Sequence, residues 1–150
     1  MKRRTRGFTL IEVLIVIVIA GILTSMAVKG FGATSTALAA RQARNVFSSM
    51  AARARAQAIE SGMTTVLIAS VAGDSVMIQG QGGNIVENVR FREELNVDIR
   101  STVSEFRICM SPRGFADTNC NSFSSALEVS FVAGTNTETI EILPLGQIRW

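Results

Sequence analysis

GFTLIEVLIVIVIAGILTSMAV, residues 7–28, decides how this chain is read. It is an apolar run broken by one carboxylate, Glu12, and preceded by Lys2, Arg3, Arg4 and Arg6. About 20 apolar residues are enough to cross a bilayer as a helix. A carboxylate inside such a segment costs energy and is a functional signal by default. A secretory signal peptide would have a shorter apolar stretch, with its small-residue cleavage site after that stretch. Here the run is long and the small residue, Gly7, comes before it. Residues 8–28 are therefore expected to form a membrane helix. Basic residues prefer the cytoplasmic side, so the chain beyond Val28 is expected to face the periplasm.

The order Gly7-Phe8-Thr9-Leu10-Ile11-Glu12 resembles the class III leader of type IV pilins and type II secretion pseudopilins. The resemblance implies that residues 1–7 are a leader removed by a membrane-bound prepilin peptidase. The cut would fall between Gly7 and Phe8, and the new Phe8 amine would be methylated. Glu12 would then face the Phe8 ammonium of a neighbouring subunit in a filament. Physically, a partner charge offsets the cost of a carboxylate in hydrocarbon and can fix register between helices. Gly21 matches a glycine of the pilin helix. Where that helix often carries proline this chain has Lys29, which moves the expected flexible point to Gly30 and Gly32. Residues 29–36 are the one expected linker.

The chain has 150 residues, enough for one membrane helix and one small domain. Its pI of 9.5 owes much to the leader. Beyond residue 7 the chain holds 11 basic and 12 acidic side chains, so a globally basic nucleic-acid binder is not supported. Histidine is absent, which removes the usual zinc and haem ligand sets and any serine–histidine or cysteine–histidine pair. No metal, cofactor or catalytic residue is expected. In a periplasmic domain, Cys109 and Cys120 are expected to form one disulfide. Spacing alone leaves two free thiols open.

Residues 35–61 contain neither proline nor glycine and are rich in alanine, the best helix former. Ala43, Phe47, Met50, Ala54 and Ala58 recur at helical spacing and mark one apolar face. Gly62 is the expected stop. Short β-type runs follow at residues 64–69, 75–79, 85–91, 97–101, 105–110, 127–132 and 139–143, with turns at Gly73-Asp74, Gly80 to Asn84 and Gly134-Thr135-Asn136. A long helix followed by strands predicts an α+β domain of antiparallel sheets over residues 29–150.

Ala54-Arg55, Ala58-Ile59, Gly62 and Val66-Leu67 resemble the helix end and first strand of the GspH/FimT group of pilin-like proteins, and Phe106, Pro112, Gly114 and Gly146-Gln147-Ile148-Arg149 fit it more loosely. That group implies a long N-terminal helix packed on two β-sheets. Some of its minor pilins end in Gly-Arg-x-Arg, a motif tied to DNA uptake. Here Gln147 replaces one arginine, which weakens phosphate attraction, while Trp150 offers a face for base stacking. Packing is the commoner role for such a tryptophan. Arg41, Arg44, Arg53 and Arg55 can grip phosphates, yet such residues are more often a solvated helix face or pair with carboxylates of the domain or of neighbouring subunits. DNA is a possible partner through Arg149 and Trp150, and not the favoured one.

The sequence thus reads as a non-enzymatic minor pseudopilin of a type II secretion system. It would be held in the inner membrane by a single pass and assembled with other pilin-like subunits into a periplasmic pseudopilus. The alternative is a FimT-like minor type IV pilin that primes a pilus or binds DNA.

Overall fold

The computed structural model describes residues 9–150, with side chains described at residues 9–25 and 34–150. The expected leader of residues 1–7, the expected cleavage point between Gly7 and Phe8, and Phe8 itself lie outside the described residues. The first element, α1, spans Leu10–Ser61. Its backbone stays helical through residues 29–36, where Gly30 and Gly32 had suggested a loosening. Gly62 ends it at a φ of +66°, a conformation glycine adopts without strain.

Two portions separate by their contacts, the segment up to Ser35 and the unit Thr36–Trp150. In the first, the large apolar residues at 10, 11, 13–19, 22 and 23 are 49–85% exposed. Among the described residues no helix is long and apolar enough to cross a membrane. The described side chains of this run stop at Ser25, so residue 8 and residues 26–28 of the expected span lie outside that statement.

The second unit has its own core. One face of α1 buries Ala40, Ala43, Phe47, Met50, Ala51, Ala54 and Ala58. The alanines let the sheets approach closely, and Phe47 and Met50 fill the centre. Eight strands follow: β1 (Thr65–Ser70), β2 (Ser75–Gln79), β3 (Ile85–Arg90), β4 (Asp98–Ser101), β5 (Glu105–Met110), β6 (Leu127–Ala133), β7 (Asn136–Ile142) and β8 (Ile148–Arg149). They form two four-stranded antiparallel sheets, ordered β3-β2-β1-β5 and β4-β6-β7-β8. Alternation sends Leu67, Val76, Ile78, Phe106 and Ile108 of the first sheet inward, with Ile99, Val129, Phe131, Ile140 and Ile142 of the second. Phe47 joins the sheets, its ring 6.2 Å from Phe106 and 5.7 Å from Phe131.

The expected α+β architecture with antiparallel sheets is present. Three local readings differ. Phe91 does not end β3 but opens a short helix, α2 (Phe91–Leu95), with Glu93 and Glu94 in its first turn and Asn96 closing it at a φ of +55°. Asn136 begins β7 instead of ending the turn. The tail Ile148–Arg149 is a strand on the edge of the second sheet.

Asp74 ties the sheets together. It is 6% exposed and sits in the β1–β2 turn of the first sheet. Its Oδ1 accepts the Ile99 N–H of β4 in the second sheet at 2.6 Å. Its Oδ2 accepts from Arg92 Nε at 2.8 Å, and its backbone oxygen accepts the Phe91 N–H at 2.7 Å. Arg92 also reaches Asp98 at 2.8 Å. Its hydrogen bond to Asp74 and the charges of Asp98 and Asp74 raise the guanidinium pKa further above its ordinary value.

Cys109 and Cys120 are joined in a disulfide, their Cα atoms 5.8 Å apart. The bridge closes a loop that runs along the outer edge of β5. For a loop of this size the chain-entropy contribution is about 3 kcal/mol. Reduction should therefore lower the melting temperature by more than about 10 °C for a domain this small. Calorimetry with and without reductant checks it; an unchanged melting point after complete reduction would remove the disulfide from the stability account.

Candidate functional site: the N-terminal helix and the C-terminal strand

Thr9 starts α1. Its Oγ1 accepts the Glu12 N–H at 3.3 Å and its backbone oxygen accepts the same N–H at 3.1 Å. The spacing Thr9-x-x-Glu12 is that of a helix-opening box, in which a hydroxyl satisfies an otherwise orphaned donor of the first turn. Glu12 also lies where the helix dipole favours a negative charge. Its side chain is exposed among Ile11, Val13, Leu14 and Ile15, and among the described residues it has no ion-pair partner. The helix thus presents one carboxylate on an exposed apolar surface. That arrangement can pair a cation delivered within an apolar environment, and it can do little else chemically.

The domain's arginines are largely engaged. Arg44 Nη1 and Arg41 Nε bind the two oxygens of Glu138 at 2.9 and 3.3 Å. Arg53 pairs with Glu87 at 2.8 Å. Arg55 donates to the Gly146 carbonyl at 3.0 Å. The four helix arginines therefore tie α1 to β3, β7 and the β7–β8 turn. That turn needs glycine at 146. Its φ is +78°, and an added Cβ would meet Ala116 Cβ at 3.0 Å.

The C-terminal residues come together on the second sheet. Arg149 lies opposite Glu141 on β7, and Glu141 lies opposite Glu128 on β6. An open hollow of about 600 Å³ is lined by these three with Thr139, Ile140 and Trp150. Trp150 is 75% exposed, and the Arg44 guanidinium lies 5.4 Å from its ring centroid. So the tail arginine faces two carboxylates, and the tryptophan ring is partly engaged by a cation. A phosphate backbone approaching Arg149 would also meet Glu128 and Glu141, which opposes binding.

Two features had no sequence signal: the Asp74 strut, because a turn aspartate is usually solvated, and the pairing of Arg149 with the β7 edge. Among the described residues no cluster of three or more histidine, cysteine or carboxylate side chains could hold a metal ion.

Residues 2–28 match the family described as the prokaryotic N-terminal methylation motif. No curated protein matches the sequence. The fold is similar to crystal structures of the type IV minor pilin FimU from Pseudomonas aeruginosa, in two crystal forms. Each is 11% identical with a TM-score of 0.51, covering 73% of this chain and 86% or 90% of the other. The chain therefore carries a prepilin-type methylation motif and a pilin-like α+β fold.

Proposed function

We propose that this chain, with a methylation motif at its start and a pilin-like fold after it, is a minor structural subunit of a type IV-like filament. The methylation motif at residues 2–28 carries this reading. Prepilin peptidase would cut between Gly7 and Phe8, and the Phe8 amine would be methylated. The exposed apolar residues of α1 would hold the subunit in the inner membrane and then pack against other pilin-like subunits. Glu12 would take the Phe8 ammonium of its neighbour and set the register.

Of the filaments that use such subunits, the protein-exporting pseudopilus is the reading favoured by the tail. Gln147 stands where a second DNA-binding arginine would be, and Glu128 and Glu141 flank Arg149. The FimU likeness supports the pilus setting as the second reading. Deletion of the gene separates them. Loss of exported protein with surface pili unchanged assigns the pseudopilus, and the reverse assigns the pilus.

The tail makes a further prediction. The full chain in detergent should show no salt-sensitive DNA binding, and Arg149→Ala should change nothing. Binding that weakens steeply with salt and disappears in the variant would make this a DNA-capturing minor pilin.

A further inference from the structure

The two sheets have four edges, and three are covered or very short. On β5, the disulfide loop takes the outward backbone groups. Arg107 N–H donates to Ser122 Oγ at 2.9 Å and its carbonyl accepts the Ser122 N–H at 3.3 Å. Cys109 N–H donates to Asn121 Oδ1 at 2.9 Å and its carbonyl accepts the Asp117 N–H at 2.8 Å. On β4, the Ile99 N–H is taken by Asp74. β8 is two residues long. Such devices keep edges from pairing with other chains.

β3 is the exception among the described strands. It has six residues and pairs only with β2. Its Arg90 N–H points away from β2 and is taken by Glu94 at 3.0 Å. Strand periodicity then places the Asn88 backbone groups on the same outer side, away from β2. Glu87 pairs with Ile78 and Ile85 with Gln79, so Val86 is the extra residue of a bulge with no partner on β2. Ile85 is 60% and Val86 47% exposed. The two charged residues of the strand are already engaged, Glu87 by Arg53 and Arg90 by Glu93.

We propose that the outer edge of β3, from Ile85 to Asn88, docks an extended strand from another subunit of the filament. The open backbone groups specify a β-strand partner. The exposed Ile85 and Val86, with the neighbouring charges neutralised, specify an uncharged segment bearing apolar side chains. The identity of the partner as a filament subunit rests on the proposed function.

The test is amide hydrogen exchange on the full chain in detergent micelles, alone and co-purified with the other minor subunits of its filament. Exchange at Val86 and Asn88 should slow at least about tenfold in the complex, while the Ile99 amide on the β4 edge, held by Asp74, stays unchanged. Asn88→Pro, which blocks pairing at an edge where proline is tolerated, and Val86→Lys, which places a charge there, should each abolish the complex with little change in melting temperature. A complex whose Val86 and Asn88 amides exchange as fast as in the free chain would overturn the docking edge and leave the filament reading standing. If no filament subunit co-purifies, the filament reading itself fails, and the edge partner fails with it.

Discussion

Glu12→Ala should leave processing of the chain intact and cut its entry into the filament at least about tenfold. The direction follows from what the substitution removes. Alanine keeps the helix, since it is the strongest helix former, and it removes a charge from an apolar run, so membrane insertion is eased and not impaired. What disappears is the one carboxylate that the exposed residues 10–25 present. A register-setting pair worth about 1.4 kcal/mol already corresponds to a tenfold change in association. The pair is expected to be worth at least that much where water is excluded. Glu12→Gln separates charge from shape, because the amide can still hydrogen-bond but cannot neutralise an ammonium. Quantitative immunoblots of the processed chain, in membrane and sheared-filament fractions, read the result. Wild-type incorporation of the alanine variant would contradict the pairing argument.

Asp74→Ala should be the most destabilising single change in the domain's polar groups, by about 2–4 kcal/mol. The loss comes from the buried side of the strut. Ile99 N–H would be left unpaired where the second sheet meets the Asp74 turn, and alanine would occupy a φ of +44° that aspartate tolerates better. The Arg92 arm of the strut lies in water, so none of that figure is assigned to it. For a domain of this size the melting temperature should fall by roughly 10–20 °C. Asp74→Asn keeps a hydrogen-bond acceptor for Ile99 and the tolerance for positive φ, and should cost less than half as much. Thermal unfolding by far-UV circular dichroism of the full chain in detergent measures both. An alanine variant that melts with the wild type would show that the sheets are held together without the strut.

Much of this architecture was legible because its periodicities are strong. Ala43, Phe47, Met50, Ala54 and Ala58 stand at helical spacing, and all five are buried. The runs 75–79 and 105–110 matched their strands residue for residue. The misreadings fall where local pattern and long-range packing disagree. Phe91 continues the alternation of β3, yet a backbone hydrogen bond to Asp74 turns the chain into α2 at that residue. The last residues are too few to register as a strand, and only the presence of β7 beside them makes one. Of the functional surface, the sequence offered residue types without their neighbours. It marked Arg44 and Arg149 as cations, but not that Glu138 holds one and Glu141 lies opposite the other. The bareness of the β3 edge is legible only by comparison with the three edges that are protected.

The most direct measurement is the intact mass of the chain purified from the membranes of cells that carry a prepilin peptidase. The account predicts a polypeptide that begins at Phe8 and carries one added methyl group on its N-terminal amine. In cells lacking that peptidase, the same chain should retain residues 1–7. A chain that still begins at Met1 in the presence of the peptidase, or one cut after the apolar run near residue 28, would contradict it.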